Sequence, residues 1–263
     1  MMSYRIAFIS LLYIFSLQII LSQGEIDDQA KIFYRNEKTL GLLINSNGYA
    51  VSGRYAKQIN ARNKKIYTSD IAIFKHPKET KIQTGDFRSF VNGKLNTFFT
   101  VRGGIGFQHE LYRKLDKGGI SIRYFYDFGP SIGFFKPIYY EVAEYLTAST
   151  YRFYPAKFDP TVEQYIVGKY SFFKGLNEIQ INPGAYGRLG FCFEYSSADK
   201  VIHAIEAGIV MDAFIRKVPI MAETKEQFLY PALFISYRFG KVVDARFSAK
   251  KRKELEKESE LPK

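Results

Sequence analysis

The chain has 263 residues, of which 46% are apolar and 17% aromatic, so it is long enough to bury a large core as a single domain. Its one cysteine, Cys192, excludes an internal disulfide and a cysteine-based metal cluster. The net charge of +12 suggests a nucleic-acid partner, but the basic residues do not gather on one aromatic-lined element, and the amino terminus predicts export. We therefore expect no nucleic-acid partner.

The first 24 residues have the pattern of an export signal. Arg5 gives a positive start, residues 6–21 form an apolar stretch, and Ser22-Gln23-Gly24 offers small residues for cleavage. The alternative is an uncleaved membrane anchor, but the stretch falls short of the roughly 20 apolar residues that a spanning helix needs. The sequence predicts a signal peptide over residues 1–24 and an exported protein.

Eight segments then alternate apolar and polar residues with the period of two that is typical of β-strands. They are residues 39–46, 48–57, 64–75, 96–110, 118–134, 184–195, 201–214 and 230–240, of which the first three have the weaker pattern. Short links follow the second, fourth and sixth segments, whereas long connections (76–95, 135–183 and 215–229) follow the third, fifth and seventh. Only the link between the first two segments, Asn45 to Gly48, departs from this rule. Outer-membrane barrels have short periplasmic turns and long extracellular loops, so this layout favours such a barrel.

The polar faces of these segments carry arginines and carboxylates. In a soluble β-sandwich or a lipocalin-like barrel the apolar face points inward, whereas in a membrane barrel it meets lipid and the polar face lines the lumen. Arginine suits enclosed pairing with carboxylates, and an eight-stranded barrel is just wide enough for side chains to fill it. The sequence predicts a lumenal charge network of Arg54, Asp70, Arg102, Glu110, Arg123, Asp127, Arg188, Glu194, Glu206, Asp212 and Arg238.

Two further sets of residues fit this interpretation. Glycines on the polar faces are expected to leave room for long arginines; they are Gly104, Gly106, Gly129, Gly190 and Gly208. Outward aromatic residues are expected near the membrane interfaces, as the girdles of membrane barrels are; they are Tyr126, Phe128, Tyr195, Tyr237 and Phe239.

The last predicted strand, YPALFISYRFGK, is rich in aromatic residues, here Phe234, Tyr237 and Phe239. With the alternating strands before it, residues 39–240 resemble the small outer-membrane β-barrel proteins of Bacteroidota that are loosely described as porin-family. The resemblance implies an outer-membrane barrel and brings no catalytic residues. Beyond that strand, residues 241–263 mix lysine, arginine and glutamate without apolar residues, which predicts a solvated, charged periplasmic tail.

The sequence offers no catalytic, cofactor-binding or metal-binding site. Of the three histidines, His76 falls in a long connection, while His109 and His203 fall near strand ends in the outward register. A lipid A deacylase, which this chain resembles in size and strand number, needs a serine two residues from its histidine on an outward face. Here those positions are Leu111 and Ile205, so we expect no enzyme.

The connection 135–183 is unusually rich in aromatic residues, and a short helix over Thr161–Phe173 is expected within it. It can form a self-packed lid over the barrel mouth or a docking surface for another envelope protein. The candidate partner surface comprises Tyr139, Tyr140, Tyr151, Phe153, Tyr154, Tyr165, Phe172 and Phe173.

The sequence thus predicts an all-β protein, an eight-stranded antiparallel transmembrane β-barrel with a long extracellular loop and a charged tail. The expected role is non-enzymatic: a structural or accessory subunit of a cell-envelope assembly, in contact with outer-membrane lipid, that binds a partner through loop 135–183 or the tail. A small-solute pore is the alternative, and a lipid-modifying acyl hydrolase is the third class.

Overall fold

The computed structural model describes residues 35–83, 85–114, 118–147, 150–197, 200–222, 224 and 226–244. The predicted signal peptide (1–24) and residues 245–263 of the predicted tail lie outside these ranges. No helix within the described ranges has the length and apolar character needed to cross a membrane.

Nearly all of the regular structure is β-strand. In chain order the strands are β1 (Arg35–Asn45), β2 (Gly48–Gln58), β3 (Asn63–Phe74), β4 (Lys81–Ile82), β5 (Phe90–Val91), β6 (Asn96–Tyr112), β7 (Ser121–Pro137), β8 (Tyr139–Thr147), β9 (Thr150–Lys157), β10 (Ile166–Lys169), β11 (Gln180–Glu194), β12 (Val201–Val218) and β13 (Gln227–Asp244). A single turn of 3₁₀ helix, Leu176–Glu178, precedes β11.

Eight of these strands close into an antiparallel barrel in the order β1-β13-β12-β11-β7-β6-β3-β2. All eight predicted strands are confirmed, including the three with the weaker pattern. Connections 59–62, 113–120 and 195–200 lie at one end of the barrel, which we call the turn end. Connections 46–47, 75–95, 138–179 and 219–226 lie at the other, the loop end.

The one short connection at the loop end depends on a glycine. Residues 46–47 form a tight turn, and Gly48 after it has a φ of 146°. A Cβ at Gly48 would lie 1.9 Å from the backbone oxygen of Ile73, so no other residue fits this close approach of β2 to β3.

The barrel wall is apolar outside and polar inside. Along each strand, exposed apolar residues alternate with buried ones, because successive side chains of a strand point to opposite faces. Every barrel strand contributes to the outer belt; taken one from each strand around the barrel, its members include Leu42, Ile235, Ile209, Leu189, Ile132, Ile105, Ile71 and Val51.

Aromatic rings fill the loop end of the interior. Phe98 is fully buried and lies 5.0 to 6.0 Å, between ring centroids, from four other rings. Those rings are Phe74, Phe135, Phe214 and Tyr230. Val218, Ile220 and Met221 belong to the same buried cluster, so the connections close the lumen at the loop end.

The connection between β7 and β11 folds into a lid rather than a flexible loop. It contains a three-stranded sheet in the order β10-β8-β9, which packs on a second buried cluster around Tyr140 and Val142. The helix expected over Thr161–Phe173 is wrong: this segment holds a turn and then β10, which pairs with β8. Pairing with β8 overrode the local helical tendency.

The three long connections also contact one another. The Tyr140 hydroxyl lies 2.7 Å from the carbonyl oxygens of both Val91 and Lys94 and shares its one proton between them. Lys94 in turn forms a β-bridge with Met221, and the backbone amide of Leu95 donates to Ile220. The lid is therefore fixed to the mouth of the barrel through connection 75–95.

Candidate functional site

The interior of the barrel contains a chain of buried ion pairs. At mid-height Arg188 lies between two carboxylates: its Nε and one terminal nitrogen donate to Asp127 at 2.9 and 2.7 Å, and the other donates to Asp70 at 2.8 Å. Thr68 and Tyr186 place their hydroxyls 2.8 and 3.0 Å from the same Asp127 oxygen. We call Asp70, Asp127 and Arg188 the Arg188 triad. The forked geometry holds all three charges in fixed positions.

A second triad lies below it, towards the turn end. Arg54 donates to one oxygen of Glu206 at 2.5 Å, and Nε of Arg238 lies 3.1 Å from the other. The Arg54 guanidinium also lies 4.3 Å from the ring centroid of Phe125, which adds a cation–π contact. Two arginines thus share one carboxylate, so this site carries a net positive charge.

A single pair lies on the other side of the Arg188 triad. Arg102 donates to both oxygens of Asp212, at 2.8 and 2.7 Å. Its guanidinium also lies under 6 Å from the rings of Phe74 and Tyr186, which places it between the ion pairs and the aromatic cluster.

Near the turn end, four buried charged residues form an alternating group: Lys64, Glu37, Arg123 and Glu194. Arg123 pairs with Glu37 and Glu194, and Glu37 also pairs with Lys64. Lys114 reaches Glu194 from connection 113–120, with its Nζ 3.3 Å from the carboxylate. Together with the two triads and the Arg102 pair, the described interior holds six buried cations and six buried carboxylates: Arg54, Lys64, Arg102, Arg123, Arg188 and Arg238, with Glu37, Asp70, Asp127, Glu194, Glu206 and Asp212.

Ten of the eleven residues expected in the lumenal network are buried in these groups. Glu110 lies instead at the rim of the turn end, where it is partly exposed and pairs with Arg113 at 3.3 Å. Two members, Glu37 and Lys64, were not expected from the sequence. Continuing the inward register of β1 from Thr39, and of β3 from Thr68, would have reached both of them.

The expectation that the inward glycines leave room for arginine side chains is largely wrong. Aromatic rings, rather than arginines, lie over Gly104 and Gly190, and backbone lies over Gly106, Gly129 and Gly208. The arginine that does need a missing side chain is Arg238, whose terminal nitrogen would lie 3.0 Å from a Cβ at Gly41. Aromatic rings therefore use most of the space that small residues leave in the lumen.

The girdle assignment also needs correction. Tyr195 directly follows β11 at the turn end, but the other four lie within strands. Tyr126 and Phe239 are five residues, and Phe128 and Tyr237 seven residues, from the turn-end limits of β7 and β13. All five are exposed, so their outward register stands. Mid-strand aromatics add to the apolar belt and do not mark its edge.

Substitution of Gly104 by alanine is expected to destabilise the barrel by about 1–3 kcal/mol. The new Cβ would lie 2.1 Å from the Tyr186 hydroxyl, so Tyr186 would have to leave Asp127. Denaturant unfolding of the reconstituted protein measures the change. Gly103→Ala is the matched control, because a Cβ at Gly103 meets nothing within 4 Å. Equal stability of the two variants would contradict the close contact of Tyr186 with Gly104.

Cys192 reports on access to the lumen. Its side chain points inward on β11 and is 3% exposed. We expect a small maleimide to leave this thiol unmodified in the folded barrel and to modify it fully after unfolding, which mass spectrometry measures directly. Rapid modification of the folded protein would mean that solutes enter the interior.

The lid presents part of the aromatic surface that the sequence predicted. Tyr151, Phe153, Tyr165, Phe172 and Phe173 are exposed, and Tyr139 is half-buried. Tyr140 is wrong as a surface residue, because it is 1% exposed and holds the lid to the mouth. Tyr154 is only partly accessible, because it packs on the buried cluster beneath the sheet.

Five exposed rings form one continuous patch, which we call the lid patch: Phe87, Tyr145, Tyr151, Phe153 and Tyr165. Neighbouring ring centroids are 5.4 to 6.4 Å apart along it. Tyr145 and Tyr151 lie opposite each other on β8 and β9. β9 is also an edge strand of the lid sheet, with most of its residues exposed.

Hydrogen bonds fix the base of the lid. Tyr139 and Lys157 donate to the two oxygens of Glu178, at 2.6 and 2.5 Å. The bond from Lys157 is the main reason that the pKa of Glu178 is lowered, and burial raises the pKa of Tyr140 at the other side of the sheet. At neutral pH the Lys157–Glu178 pair is therefore charged.

Among the described residues, no serine hydroxyl forms a hydrogen bond with the Nδ1 atom of a histidine. Nδ1 of His109 lies 2.5 Å from the amide oxygen of Asn63, and Nδ1 of His203 lies 2.8 Å from the Tyr237 hydroxyl. His76 Nδ1 accepts a hydrogen bond from the backbone of Lys78. In the described part of the chain no group of three or more histidine, cysteine or acidic residues has a geometry that would hold a metal ion.

No protein-family model and no curated protein sequence matches the chain. Among solved structures it is similar to Ail, the attachment invasion locus protein of Yersinia pestis, in complex with the heparin analogue sucrose octasulfate, at 8% identity and a TM-score of 0.36 over 80% of this chain and 96% of that one. Neisserial surface protein A matches at 8% identity and a TM-score of 0.37, over 80% and 96%. The N-terminal β-barrel domain of Pseudomonas aeruginosa OprF matches at 6% identity and a TM-score of 0.33, over 79% and 97%.

Proposed function

We propose that this protein spans the bacterial outer membrane as a sealed barrel and presents its lid to another protein of the cell envelope. The observation that carries the first half is the inverted wall, apolar on all eight strands outside and ion-paired inside. A continuous apolar belt of this size is unfavourable in water but favourable against hydrocarbon. The export signal predicted at residues 1–24 supports the same location.

The orientation follows from the connections. Short turns of outer-membrane barrels face the periplasm and long loops face outward, so the turn end is periplasmic and the lid extracellular. The resemblance of the strands to small barrels of Bacteroidota favours the same placement. The charged tail that the sequence predicts would then lie in the periplasm.

We prefer a sealed barrel to a solute pore because two sets of side chains, ion pairs and aromatic rings, fill the lumen. Six cations pair with six carboxylates along its length, and aromatic rings close the loop end above them. Planar-bilayer recording tests this directly: we expect no discrete conductance from the full chain. Steps of reproducible size would instead establish the pore.

The lid patch supports the second half of the proposal. Exposed aromatic residues in contact with one another resemble the centres of protein interfaces, where tyrosine and phenylalanine are enriched. The free edge of β9 lies beside them and offers unpaired backbone groups to an incoming strand. A partner that adds a strand to β9 would bury the rings of Tyr151 and Phe153 at the same time.

The test is affinity purification of the full chain from detergent-extracted membranes. We expect a specific companion with the wild type and loss of it with Tyr151→Ser/Phe153→Ser. Tyr112→Ser is the matched control, because Tyr112 is an equally exposed aromatic at the turn end. Equal recovery with the lid variant, or no companion in any sample, would contradict a lid partner. Deletion of residues 245–263 tests the tail in the same experiment.

The enzymatic alternative lacks support in the described residues. Outer-membrane acyl hydrolysis requires a serine activated by a histidine ring, and the Nδ1 atoms of His109 and His203 contact an amide and a phenol. The Ser196 hydroxyl accepts from the backbone amide of His203 and not from its ring. We therefore propose a non-enzymatic role.

A further inference from the structure

Four outward-facing lysines gather at the turn end on one side of the barrel. They are Lys38, Lys57, Lys65 and Lys241, and they lie on β1, β2, β3 and β13, which are consecutive strands of the barrel. Lys65 is half-buried and the other three are exposed. The outward residues near the same end of the other four strands are uncharged side chains or histidine: His109 and Leu111, Tyr124, Phe193, and Val201 and His203.

These lysines oppose one another in pairs across the sheet. Lys38 is the direct cross-strand partner of Lys241, and Lys57 is that of Lys65. Like charges in such positions are destabilising. None of the four forms an ion pair with a carboxylate among the described residues, and the outward positions of these strands hold no acidic side chain. Both pairs of lysines are therefore left without an anion among the described residues.

An apolar groove begins beside the first of these pairs. Its volume is about 710 Å³, and both Lys38 and Lys241 line it. Its walls are Leu40, Phe239 and the stacked rings of Tyr55 and Tyr67, whose centroids are 6.4 Å apart.

Two small residues form the floor of this groove. Gly53 lies opposite Leu40 on one side and opposite Ser69 on the other, so the outer surface is depressed between larger neighbours. A Cβ at Gly53 would meet only the backbone oxygen of Ser69, at 3.7 Å, so the glycine is not required by packing. The depression runs along the wall, away from the lysines and towards mid-barrel.

We propose that this groove binds one anionic phospholipid of the periplasmic leaflet, with its phosphate between Lys38 and Lys241 and an acyl chain over Gly53. The occupant combines a negative headgroup with a hydrocarbon chain, as the site combines two ammonium groups with an apolar channel. The phosphate also removes the repulsion between the two lysines. This inference rests on the membrane-spanning barrel and the orientation proposed above.

The test is native mass spectrometry of the full chain released from vesicles that contain phosphatidylglycerol and phosphatidylcholine in equal amounts. We expect the wild type to retain phosphatidylglycerol about tenfold more often than phosphatidylcholine. The variant Lys38→Gln/Lys241→Gln should lose this preference. Lys78→Gln/Lys81→Gln is the matched control, because it removes two exposed lysines from connection 75–95, and it should keep the wild-type preference.

Three results would overturn the inference. The first is equal retention of the two lipids by the wild type, or an unchanged preference in Lys38→Gln/Lys241→Gln. The second is displacement of the lipid by millimolar inorganic phosphate, which would identify a site for a free anion. The third is loss of the preference for the anionic lipid after deletion of residues 245–263, which would mean that the lysines and arginines of the tail hold the lipid.

Insertion is measured on the same samples by protection of the barrel from added protease. A barrel that inserts but shows no lipid preference contradicts only the lipid site. A chain that fails to insert contradicts the proposed membrane location and with it the lipid site.

Discussion

Replacement of Arg188 by methionine is expected to lower the free energy of unfolding by about 3–5 kcal/mol. The change leaves Asp70 and Asp127 buried side by side without their cation. Buried charges without a partner are far more costly than the loss of a surface pair. Urea unfolding of the barrel in phospholipid vesicles, followed by far-ultraviolet circular dichroism, measures the difference.

Two further variants separate the loss of the pair from the loss of packing. Asp70→Asn/Asp127→Asn/Arg188→Met removes all three charges and should recover a large part of the lost stability. Arg113→Gln breaks the exposed pair with Glu110 and should cost less than about 1 kcal/mol. If Arg188→Met costs no more than Arg113→Gln, water must reach the triad, and the lumen is not sealed.

Substitution of Leu189 by arginine is expected to destabilise the inserted barrel by about 2–4 kcal/mol. Leu189 faces outward on β11 between Tyr126 and Ile209, at mid-height of the wall, where a charge would lie in the centre of the hydrocarbon. The same unfolding experiment in vesicles gives the value.

The matched control is Leu111→Arg, an equally exposed leucine close to the turn end of β6. There the arginine can reach the interface, so the cost should fall to about 0–1 kcal/mol. Equal and small costs at both positions are what a water-facing surface would give, and they would contradict membrane insertion.

Much of the fold could be predicted from the period of two. Each barrel strand has one apolar and one polar face, so even the weak alternation in the first three segments correctly predicted β1, β2 and β3. The bounds were less accurate at both ends of the barrel. At the turn end β1 begins at Arg35 and β13 ends at Asp244, four residues beyond the predicted segments. At the loop end β7 continues to Pro137 and β12 to Val218. There the loops cover the wall, so both faces are partly buried and the alternation fades.

The residues of the interior were harder to predict because both aromatic and charged side chains point inward. Phe98 and Phe125 break the alternation of their segments and looked like exceptions, yet both are fully buried in the lumen. Glu37 and Lys64 lie within runs of polar residues that resemble turns, although both lie on the inward register. Which arginine meets which carboxylate depends on the stagger of the strands around the barrel, and the alternation of apolar and polar residues does not show that stagger.

The lid shows where local patterns fail. Its tyrosines indicated burial or binding, but the division between Tyr140, which anchors the lid, and Tyr151, which is exposed, depends on the pairing of β8 with β9 and β10. That pairing also removed the helix expected over Thr161–Phe173.

The orientation of the wall is tested most directly by spin labels in bilayers, in a background with Cys192→Ala. Single labels at Leu42, Ile105, Leu189, Ile209 and Ile235 should collide with molecular oxygen and be shielded from a water-soluble nickel chelate, whereas a label at Tyr151 on the lid should show the reverse. If the nickel chelate reaches the five wall positions as readily as Tyr151, the apolar belt faces water and the membrane barrel is wrong.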